Sequence, residues 1–564
     1  MASLNLPIGN ENFKDIRNSG KYYIDKTGLI SQLLKEKNSE VTLFTRPRRF
    51  GKSLNMNMLS CFFDIRQENS KLFEGLEISE NKEICDEWLN KYPTIYVSMK
   101  DVYGLNYEQA MGQLKSCAAS LYQSSLYLLN SDKFDEVTKN RFNAVYAKTS
   151  SEIDIMESLL FLTKLMSEYY NKQVVLLIDE YDVPMAKGHA NGYYREIANV
   201  MRTVYSKALK GNPYLKIAVL AGCLRIVKES IFTGLNNLYV NSISNEKFDE
   251  YFGFTDSEMD KLLADADLTD HKDEIKDWYD GYLFGNKEVY CPWDVLSYLF
   301  ELQDMPNTPP MNYWANTSSN EIIRAFLDSG IDVSDEFEVL MKGKCIKKKI
   351  NENITYEELT ESEENFWSML YMTGYLTVIR DTPEELEERR RVGRYELEYK
   401  LRIPNKELKI LFKDTIYSWF NAQVTKDDRT ELFKALLNAN DEALSKIVSG
   451  YLYDTISYYD YAENYYHAFL AGLLSGVKGC KVFSNKELGA GRPDIVFRDK
   501  PHKQISIFEI KRTYNKKELP ELCDEALRQI DEMEYAKPYE DYDLEIVKYG
   551  VAFFKKRCLI KKAK

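Results

Sequence analysis

The stretch that decides the N-terminal fold is VTLFTRPRRFGKSLNMNMLSCFF, residues 41–63. A short apolar run precedes a polar loop, and a helical pattern follows the loop directly. Phosphate-binding loops need glycine for close approach to the anion, lysine for the β- and γ-phosphates, and a hydroxyl for Mg²⁺. Gly51, Lys52 and Ser53 meet these requirements, although Arg46 occupies the position of the usual first glycine. The strand–loop–helix context favours a phosphate site over the alternative, a surface turn.

A second motif, VVLLIDEYD at 174–182, places Asp179 and Glu180 at the end of a buried apolar run. The carboxyl ends of parallel strands are where α/β sheets bind ligands. An aspartate there can hold the water shell of Mg²⁺, and the next glutamate can polarise an attacking water. The alternative is a strand that ends in solvated acids. Together with the loop at 46–53, the motif resembles those of the additional-strand P-loop ATPases.

Four apolar runs, at 41–44, 94–99, 174–179 and 216–222, are continuous rather than alternating. Strands that are covered on both faces of a parallel sheet have this pattern. Arg225 follows the fourth run, where such ATPases keep a residue that senses the γ-phosphate. We take it as the candidate for that role, with a structural salt bridge as the alternative.

A separate group of carboxylates lies near the C-terminus, in RPDIVF (492–497) and ISIFEIK (505–511). If the turn between these strands centres near 500–501, Asp494 pairs near Ile507 and shares a face with Glu509 and Lys511. Such a cluster can hold Mg²⁺ against a phosphodiester while the lysine stabilises developing charge. The spacing resembles the PD-(D/E)xK nuclease pattern, flanked by one helix with Glu463 and His467 and another with Gln529.

The chain as a whole resembles bacterial AAA-ATPase-like proteins that carry a C-terminal PD-(D/E)xK nuclease-superfamily domain. The resemblance rests on segments in order along nearly the whole chain: 8–27, RPRRFGKS (46–53), LLIDEYD (176–182), 224–238, DWYDGYLFG (277–285), YWANTSSN (313–320), TGYL (373–376), IPN (403–405) and the C-terminal hairpin. The arginine in place of the first glycine is itself characteristic of that family.

The resemblance implies ATP and Mg²⁺ as cofactors. It places the nucleotide at Arg49, Phe50, Gly51, Lys52, Ser53 and Asp179, with Mg²⁺ at Ser53 and Asp179 and hydrolysis assisted by Glu180. It also implies a nuclease-like site of Asp494, Glu509 and Lys511, with Glu463 joining the metal shell as a helix glutamate does in some members. Glu487 is a weaker candidate for this site.

Composition limits the class of protein. The chain has 564 residues with 44% hydrophobic and 29% charged residues, which excludes collagenous, wholly disordered and membrane-embedded chains. Its nine cysteines are scattered without a CxxC pair, and only four histidines occur, which favours a reducing cytoplasm over a disulfide framework or a zinc site. No apolar run reaches the length of a membrane span. We interpret the 41 tyrosines as a compositional bias rather than as stacking platforms.

We predict an α/β multidomain protein: a P-loop domain at 1–240, a mainly helical middle region at 241–450 and a restriction-endonuclease-like domain at 451–564. The net charge of −13 argues against nucleic acid as a partner, but residues 481–564 carry 19 Lys+Arg and 15 Asp+Glu, which removes the objection for that domain. The first hypothesis is an ATPase coupled to a metal-dependent nuclease acting on DNA or RNA, in a mobile-element or defence role. The second is a nucleotide switch or scaffold with an inactive nuclease-like domain. An arginine finger supplied in trans would require a homo-oligomer, and the sequence leaves this open.

Overall fold

The computed structural model describes residues 4–35, 40–225, 238–314, 333–360, 362–392, 397–424, 429–455, 463–475, 479–484, 491–540, 542 and 544–563. The chain divides into two compact units. The first unit comprises Met1–Ser318 and Lys347–Leu408, and the second comprises Ser319–Ile346 and Lys409–Lys564. None of the described helices has the length and apolarity that a membrane crossing requires.

The first unit is built on a parallel five-stranded sheet. Its strands are β1 (Val41–Thr45), β2 (Thr94–Ser98), β3 (Val174–Asp179), β4 (Leu215–Gly222) and β5 (Leu238–Asn241), in the order β2-β3-β4-β1-β5. Every residue of β1 and β3 is buried, as the continuous apolar runs predicted, whereas β2 and β4 each contain two half-buried residues. Because β4 lies between β1 and β3, it is the additional strand, and the predicted fold class is confirmed.

Helices cover both faces of this sheet and fill the rest of the first unit. Their N-termini are often capped by polar side chains, as where Asn106 accepts from the amide of Gln109, and Thr255 forms a reciprocal capping box with Glu258. The described helices of six or more residues that lie wholly in this unit are Phe13–Asn18, Gly28–Lys35, Lys52–Phe63, Lys82–Trp88, Tyr107–Gln123, Glu136–Tyr146, Ser158–Tyr170, Val183–Ala190, Tyr194–Leu209, Asp256–Ala266, Lys272–Tyr279, Pro292–Asp304, Glu363–Met372 and Pro383–Val392.

Two small three-stranded sheets interrupt the predominantly helical middle of the chain. One contains β6 (Phe254–Thr255), β7 (Tyr282–Phe284) and β8 (Lys287–Tyr290), in the order β6-β8-β7. The other contains β9 (Ile346–Lys349), β10 (Thr377–Val378) and β11 (Glu398–Arg402), in the order β10-β11-β9.

The second unit contains a mixed five-stranded sheet in which the strands follow chain order. The strands are β12 (Cys480–Ser484), β13 (Ile495–Asp499), β14 (Gln504–Arg512), β15 (Glu545–Phe554) and β16 (Arg557–Lys562). The pair β14–β15 is parallel and the other pairs are antiparallel. Apolar side chains cover both faces of the sheet, packed against the helices Thr430–Leu437, Asp441–Thr455 and Glu463–Leu474 on one face and Leu519–Glu532 on the other. The remaining helices are Ser334–Met341 and Lys406–Val424, the latter running across the boundary between the units.

Candidate active sites

The phosphate loop connects the end of β1 to the helix Lys52–Phe63. Gly51 caps this helix with φ 81°, in the left-handed region that favours glycine, and the space where its side chain would lie is open. Arg49 also has a positive φ of 72°, a conformation that non-glycine residues hold only where the surroundings impose it. The loop therefore presents the open N-terminus of a helix, whose first amides have no partner within the helix and attract anions.

Arg46, at the position of the missing first glycine, points into the core rather than toward the mouth of the loop. Its side chain is completely buried. One guanidinium nitrogen donates to the carbonyls of Thr45 and Asn241, each at 2.9 Å, and the other donates to Phe248 at 3.3 Å. The guanidinium also lies over the ring of Phe252, 4.9 Å from its centroid. Burial lowers the pKa of Arg46 to about 10.

Lys52 and Glu180 lie close together at the end of the sheet. The Lys52 ammonium is buried, donates to the Pro47 carbonyl at 3.0 Å, and lies 3.9 Å from a Glu180 carboxylate oxygen. It also lies 3.6 Å from the sulfur of Cys223. Glu180 has φ 51°, so the chain turns sharply just after β3. The lysine charge is thus held by the loop carbonyl and by the carboxylate expected to assist hydrolysis.

Asp179 ends β3 and is almost fully buried. Burial and the neighbouring charge of Glu180 raise the pKa of Asp179 to about 6, while a hydrogen bond from Ser53 and the charge of Lys52 act in the opposite direction. Its Oδ1 atom is buried and has no hydrogen-bond partner among the described residues. A buried carboxylate oxygen without a donor, beside a serine hydroxyl, fits the ligands that Mg²⁺ takes in phosphate sites.

Two residues of the predicted nucleotide-binding loop make other contacts with their side chains. The Phe50 ring is fully buried, 4.9 Å from the ring of Tyr282, so only its backbone faces the loop. The guanidinium of Arg49 lies over Trp293, 4.3 Å from the ring centroid. Direct contact between these two side chains and a nucleotide stays a prediction.

Arg225 follows a turn that is fixed by two residues which the sequence reasoning did not single out. Asp182 accepts hydrogen bonds from the amides of Cys223 and Leu224 at 2.9 and 3.0 Å, and the Tyr181 hydroxyl donates to the Leu224 carbonyl. A methyl group at Gly222 would lie 2.6 Å from an Asp182 oxygen. The second aspartate of LLIDEYD was the available signal. The rest of the segment 224–238 lies largely outside the described residues, from 226 to 237.

The sequence motifs of the middle region meet behind the phosphate loop. Gly374 of TGYL has φ 86°, and a side chain there would lie 2.8 Å from Pro47 in the loop. Gly281 of DWYDGYLFG has φ 95°, and its missing side chain leaves room for the Pro404 carbonyl of IPN, which a Cβ would approach to 2.3 Å. Asn405 donates to the Asp280 carbonyl at 2.9 Å. Gly281 is required because two backbones approach each other closely, and Gly374 because the Pro47 side chain occupies the space of a Cβ.

A buried pair of carboxyl groups, Asp294 and Glu407, lies in the same region. Both side chains have no solvent exposure. One Glu407 oxygen accepts from the Trp314 amide at 2.7 Å, and the Asp294 carboxyl lies within hydrogen-bonding reach of both Cys291 and Glu407. Burial, and for Glu407 also the charge of its partner, raises the pKa of each group. Two such carboxyls hold at least one proton between them, because both cannot ionise without water.

The carboxylates of the second unit meet on the hairpin β13–β14. The register pairs Ile495 with Phe508, which places Asp494 opposite Glu509. The predicted pairing of Asp494 near Ile507 is therefore wrong by two residues, although a shift of two keeps the same face. The pairs close at Asp499 and Gln504, so the turn spans 500–503 and centres later than expected.

Hydrogen bonds hold the three predicted residues of this site together. Asp494 accepts from the Ile510 amide at 2.8 Å, and the Lys511 ammonium lies 3.8 Å from a Glu509 oxygen. Gln529 accepts from Lys511 at 2.6 Å and donates to the same Glu509 oxygen, so it bridges the two. Burial raises the pKa of Asp494, while the hydrogen bond from Ile510 lowers it.

The flanking helix contributes His467, whose Nε2 lies 2.7 Å from the Asp494 carbonyl oxygen. Glu463 is the first residue of that helix, but its side chain lies outside the described residues, as does Glu487. Within the described part, no three His, Cys, Asp or Glu side chains come together. Two adjacent carboxylates fit Mg²⁺, which binds one or two carboxylates and completes its shell with water and phosphate oxygens.

Two known protein families match the chain, one near its N-terminus and one near its C-terminus. Residues 7–232 match the family described as predicted AAA-ATPase, and residues 461–563 match the PD-(D/E)XK nuclease superfamily. The chain joins an AAA-ATPase-like domain to a nuclease-superfamily domain. The AAA-ATPase-like domain contains the phosphate loop and the DEYD motif, and the nuclease-superfamily domain contains the carboxylate hairpin.

A curated relative has a similar sequence over most of its length. The chain is 26% identical over 418 residues to an uncharacterized protein in the vnfD 5′ region of Azotobacter chroococcum mcd 1. The match covers 74% of this chain and 70% of the relative. It therefore extends beyond the AAA-ATPase-like domain, which accounts for 226 residues of the chain.

Proposed function

We propose that the first unit binds and hydrolyses ATP. The observation that carries this proposal is the meeting of Lys52, Asp179 and Glu180 at an open helix N-terminus. Lys52 would neutralise the β- and γ-phosphates, and Glu180 would orient the attacking water once the nucleotide draws the lysine away. Ser53 and Asp179 would hold Mg²⁺, which supplies charge stabilisation to the phosphates. Arg225 is proposed as the residue that senses the γ-phosphate.

We propose that the second unit cuts nucleic-acid phosphodiesters with the help of a divalent metal. Asp494 and Glu509 would hold the ion, which stabilises the charge of the phosphate under attack. Lys511 would stabilise negative charge that develops on the phosphate or orient the attacking water. Glu463 is proposed as a further ligand from the neighbouring helix. The proposal further includes coupling of cleavage to ATP and a role in mobile elements or defence. It also includes a cytoplasmic location and a homo-oligomeric state.

One observation favours the second candidate function, a nucleotide-dependent switch or scaffold with an inactive nuclease-like domain. Gln529 accepts a hydrogen bond from Lys511 and donates one to Glu509, so both groups already have a hydrogen-bond partner. A site closed in this way has less capacity for a metal and a substrate. We favour cleavage because all three residues of the pattern are present on one face.

Steady-state ATP turnover by the full chain tests the first proposal. Lys52→Ala is expected to abolish nucleotide binding, because the point charge on the phosphates is lost. Glu180→Gln is expected to bind ATP but to turn it over at least tenfold more slowly. Lys164→Ala, an exposed lysine on a helix of the same unit, is the matched control and keeps full turnover. Unchanged nucleotide affinity in Lys52→Ala would contradict the assignment of the loop.

Cleavage of plasmid, single-stranded DNA and RNA, with and without Mg²⁺, tests the second proposal. Glu509→Ala is expected to remove Mg²⁺-dependent cutting, whereas Glu525→Ala on the exposed face of a neighbouring helix leaves it intact. A wild-type chain that turns over ATP but cuts none of these substrates would establish the switch or scaffold instead.

A further inference from the structure

The carboxyl ends of β14 and β15 form one end of the sheet in the second unit. These strands are parallel, with Arg512 paired to Phe553, and the Thr513 amide donates to the Phe553 carbonyl at 3.0 Å. The segment after β14 and the turn after β15 therefore lie side by side. Asp494 precedes β13, which runs antiparallel to β14, so the candidate metal site lies at this same end.

A tyrosine is held out into solvent at this end. Tyr514 is 78% exposed, the most exposed of the described aromatic side chains. The guanidinium of Arg512 lies over its ring, 4.3 Å from the centroid, and also donates a hydrogen bond to its hydroxyl. The Arg512 cation thus covers one face of the Tyr514 ring. The other face is available for an electron-rich ring to stack on it, and the cation strengthens such stacking.

The loop that carries Tyr514 is fixed by its own hydrogen bonds. Thr513 is buried, and its hydroxyl oxygen accepts from the Asn515 amide at 2.9 Å. Glu518 accepts from the Thr513 hydroxyl and from the Asn515 side chain, the latter at 3.2 Å. Glu518, the one acidic residue of this loop, is exposed, but its carboxylate accepts hydrogen bonds from within the loop. The tyrosine is therefore presented by backbone that these hydrogen bonds hold in place.

Basic residues surround the tyrosine on both strand ends. Residues 511–518 and 554–557 contain seven lysines and arginines and one glutamate. Lys516, Lys517, Lys555 and Arg557 are exposed. We call residues 511–517 and 555–557 the basic edge. Its surplus of positive charge contrasts with the net charge of −13 for the whole chain.

We propose that the basic edge binds an unpaired nucleic-acid strand, with one base stacked on the open face of Tyr514. This inference rests on the proposed nuclease function and names the form of substrate that its site receives. An exposed aromatic ring within a basic surface is the arrangement by which proteins bind single strands without sequence preference. A paired base in a duplex offers no free face for such stacking, so the surface selects unpaired strands. DNA and RNA share this chemistry.

Glu509 precedes Arg512 by three residues along β14, a separation of about 10 Å at the usual rise of a strand. Because the side chains of Glu509 and Arg512 project from opposite faces of β14, a strand that stacks on Tyr514 would cross the end of the sheet to bring a phosphodiester two or three nucleotides away to the metal site. The basic edge thus lies within reach of the phosphodiester that would be cut.

Binding of labelled oligonucleotides to the full chain, measured by fluorescence anisotropy in EDTA, tests the proposal without cleavage. The probes are single-stranded DNA, single-stranded RNA and duplex DNA of equal length. Tyr514→Ala is expected to weaken single-strand binding about 5- to 150-fold, the effect of losing one stacked base, and to change duplex binding far less. Tyr514→Phe keeps the ring, loses only the hydroxyl that accepts from Arg512, and is expected to weaken single-strand binding far less than Tyr514→Ala. Tyr542→Ala, an exposed tyrosine at the opposite end of β15, is the control and leaves binding unchanged.

The charge of the edge is tested by the salt dependence of the same binding. The double variant Lys516→Ala/Lys517→Ala is expected to reduce the slope of log affinity against log salt by about 1.4, because each single-strand phosphate contact contributes about 0.7. Lys500→Ala, in the turn at the other end of the hairpin, is the control. A slope equal to wild type in the double variant would contradict the role of these lysines.

The outcomes separate this inference from the proposed function. Equal single-strand affinity in Tyr514→Ala and wild type, with Mg²⁺-dependent cleavage retained, would overturn the inference alone. A wild-type chain that binds none of the three probes would overturn both. Preference for duplex DNA over single strands would also refute the stacking role of Tyr514. A difference between the DNA and RNA probes would identify which strand the edge prefers.

Discussion

Replacement of Arg46 by glycine would restore the usual phosphate-loop pattern, yet we expect it to damage the first unit. The loop has positive φ at Arg49 and Gly51 but not at position 46, so the freedom of glycine brings no benefit there. The substitution removes a fully buried guanidinium that donates to three backbone carbonyls. Two of these carbonyls belong to residues that follow in the chain by 195 and 202 positions.

The magnitude follows from these contacts. Hydrogen bonds from a charged donor contribute about 1.5–3 kcal/mol each, and the contact of 3.3 Å belongs at the weak end. Desolvation of the guanidinium opposes folding, and the pKa of Arg46, lowered to about 10, shows that burial disfavours its charge. We therefore expect a net loss of about 3–5 kcal/mol. For a unit of about 380 residues this corresponds to a fall in Tm of about 4–6 °C.

The assay is thermal unfolding of the full chain together with ATP turnover. Arg46→Lys keeps the charge but not the fork of donors, and an intermediate Tm is expected. Arg48→Gly is the control for thermal unfolding alone, because it introduces the same residue in the same loop at an exposed position, whereas its charge acts on Glu180 and Asp182 in the candidate site. Its Tm is expected to stay within about 1 °C of wild type. An Arg46→Gly protein with wild-type Tm and equal or faster ATP turnover would refute the reasoning.

Three further predictions concern other parts of the two units. Folding raises the pKa of Asp294 and of Glu407, so the folded pair retains protons that the unfolded chain releases near pH 4. The free energy of unfolding is therefore expected to fall as pH rises above about 4. Glu407→Gln is expected to flatten this decline by up to about 1.4 kcal/mol per pH unit, measured by denaturant unfolding across pH, and an unaltered slope would argue against the pair. Gly281→Ala is expected to lower the Tm measurably, because its Cβ would lie 2.3 Å from the Pro404 carbonyl, and a Tm equal to wild type would contradict that close approach. Gln529→Ala is expected to lower Mg²⁺-dependent cleavage about 10- to 100-fold, as loss of an orienting partner does at metal sites; faster cleavage would mean that the glutamine closes the site.

The sequence was sufficient to predict the fold class because the strands are continuous apolar runs and recognisable motifs follow them. The phosphate loop lies between β1 and its helix, and Asp179 ends β3, both as the motifs predicted. The hairpin register was missed by two residues for a local reason. Asp499 accepts from the His502 amide at 3.1 Å and Lys503 has φ 53°, so side-chain capping stretches the turn to four residues. Composition alone does not fix where such a turn centres.

Contacts between segments that are distant in the chain could not be predicted from the sequence. Nothing local to Arg46 indicates that it bonds Asn241 and Phe248, and nothing local to Asp294 indicates Glu407. The role of Asp182 in fixing the turn before Arg225 also depends on strand order, because β3 and β4 are neighbours only in the folded sheet. These pairings are decided by packing in three dimensions, where one side chain satisfies groups that are remote in the chain.

The missing glycine and the motifs of the middle region have a common explanation. In this chain Arg46 bonds backbone that follows β5, Phe50 packs on Tyr282, and Gly374 lies against Pro47. The phosphate loop is therefore held from behind by residues between 241 and 374, within the same compact unit. A fragment that ended near residue 240 would leave Phe50 exposed and the Arg46 guanidinium without two of its three acceptors. The shape of the proposed nucleotide site thus depends on the middle region, and we expect substitutions there to change ATP turnover without removing a residue that would contact the nucleotide.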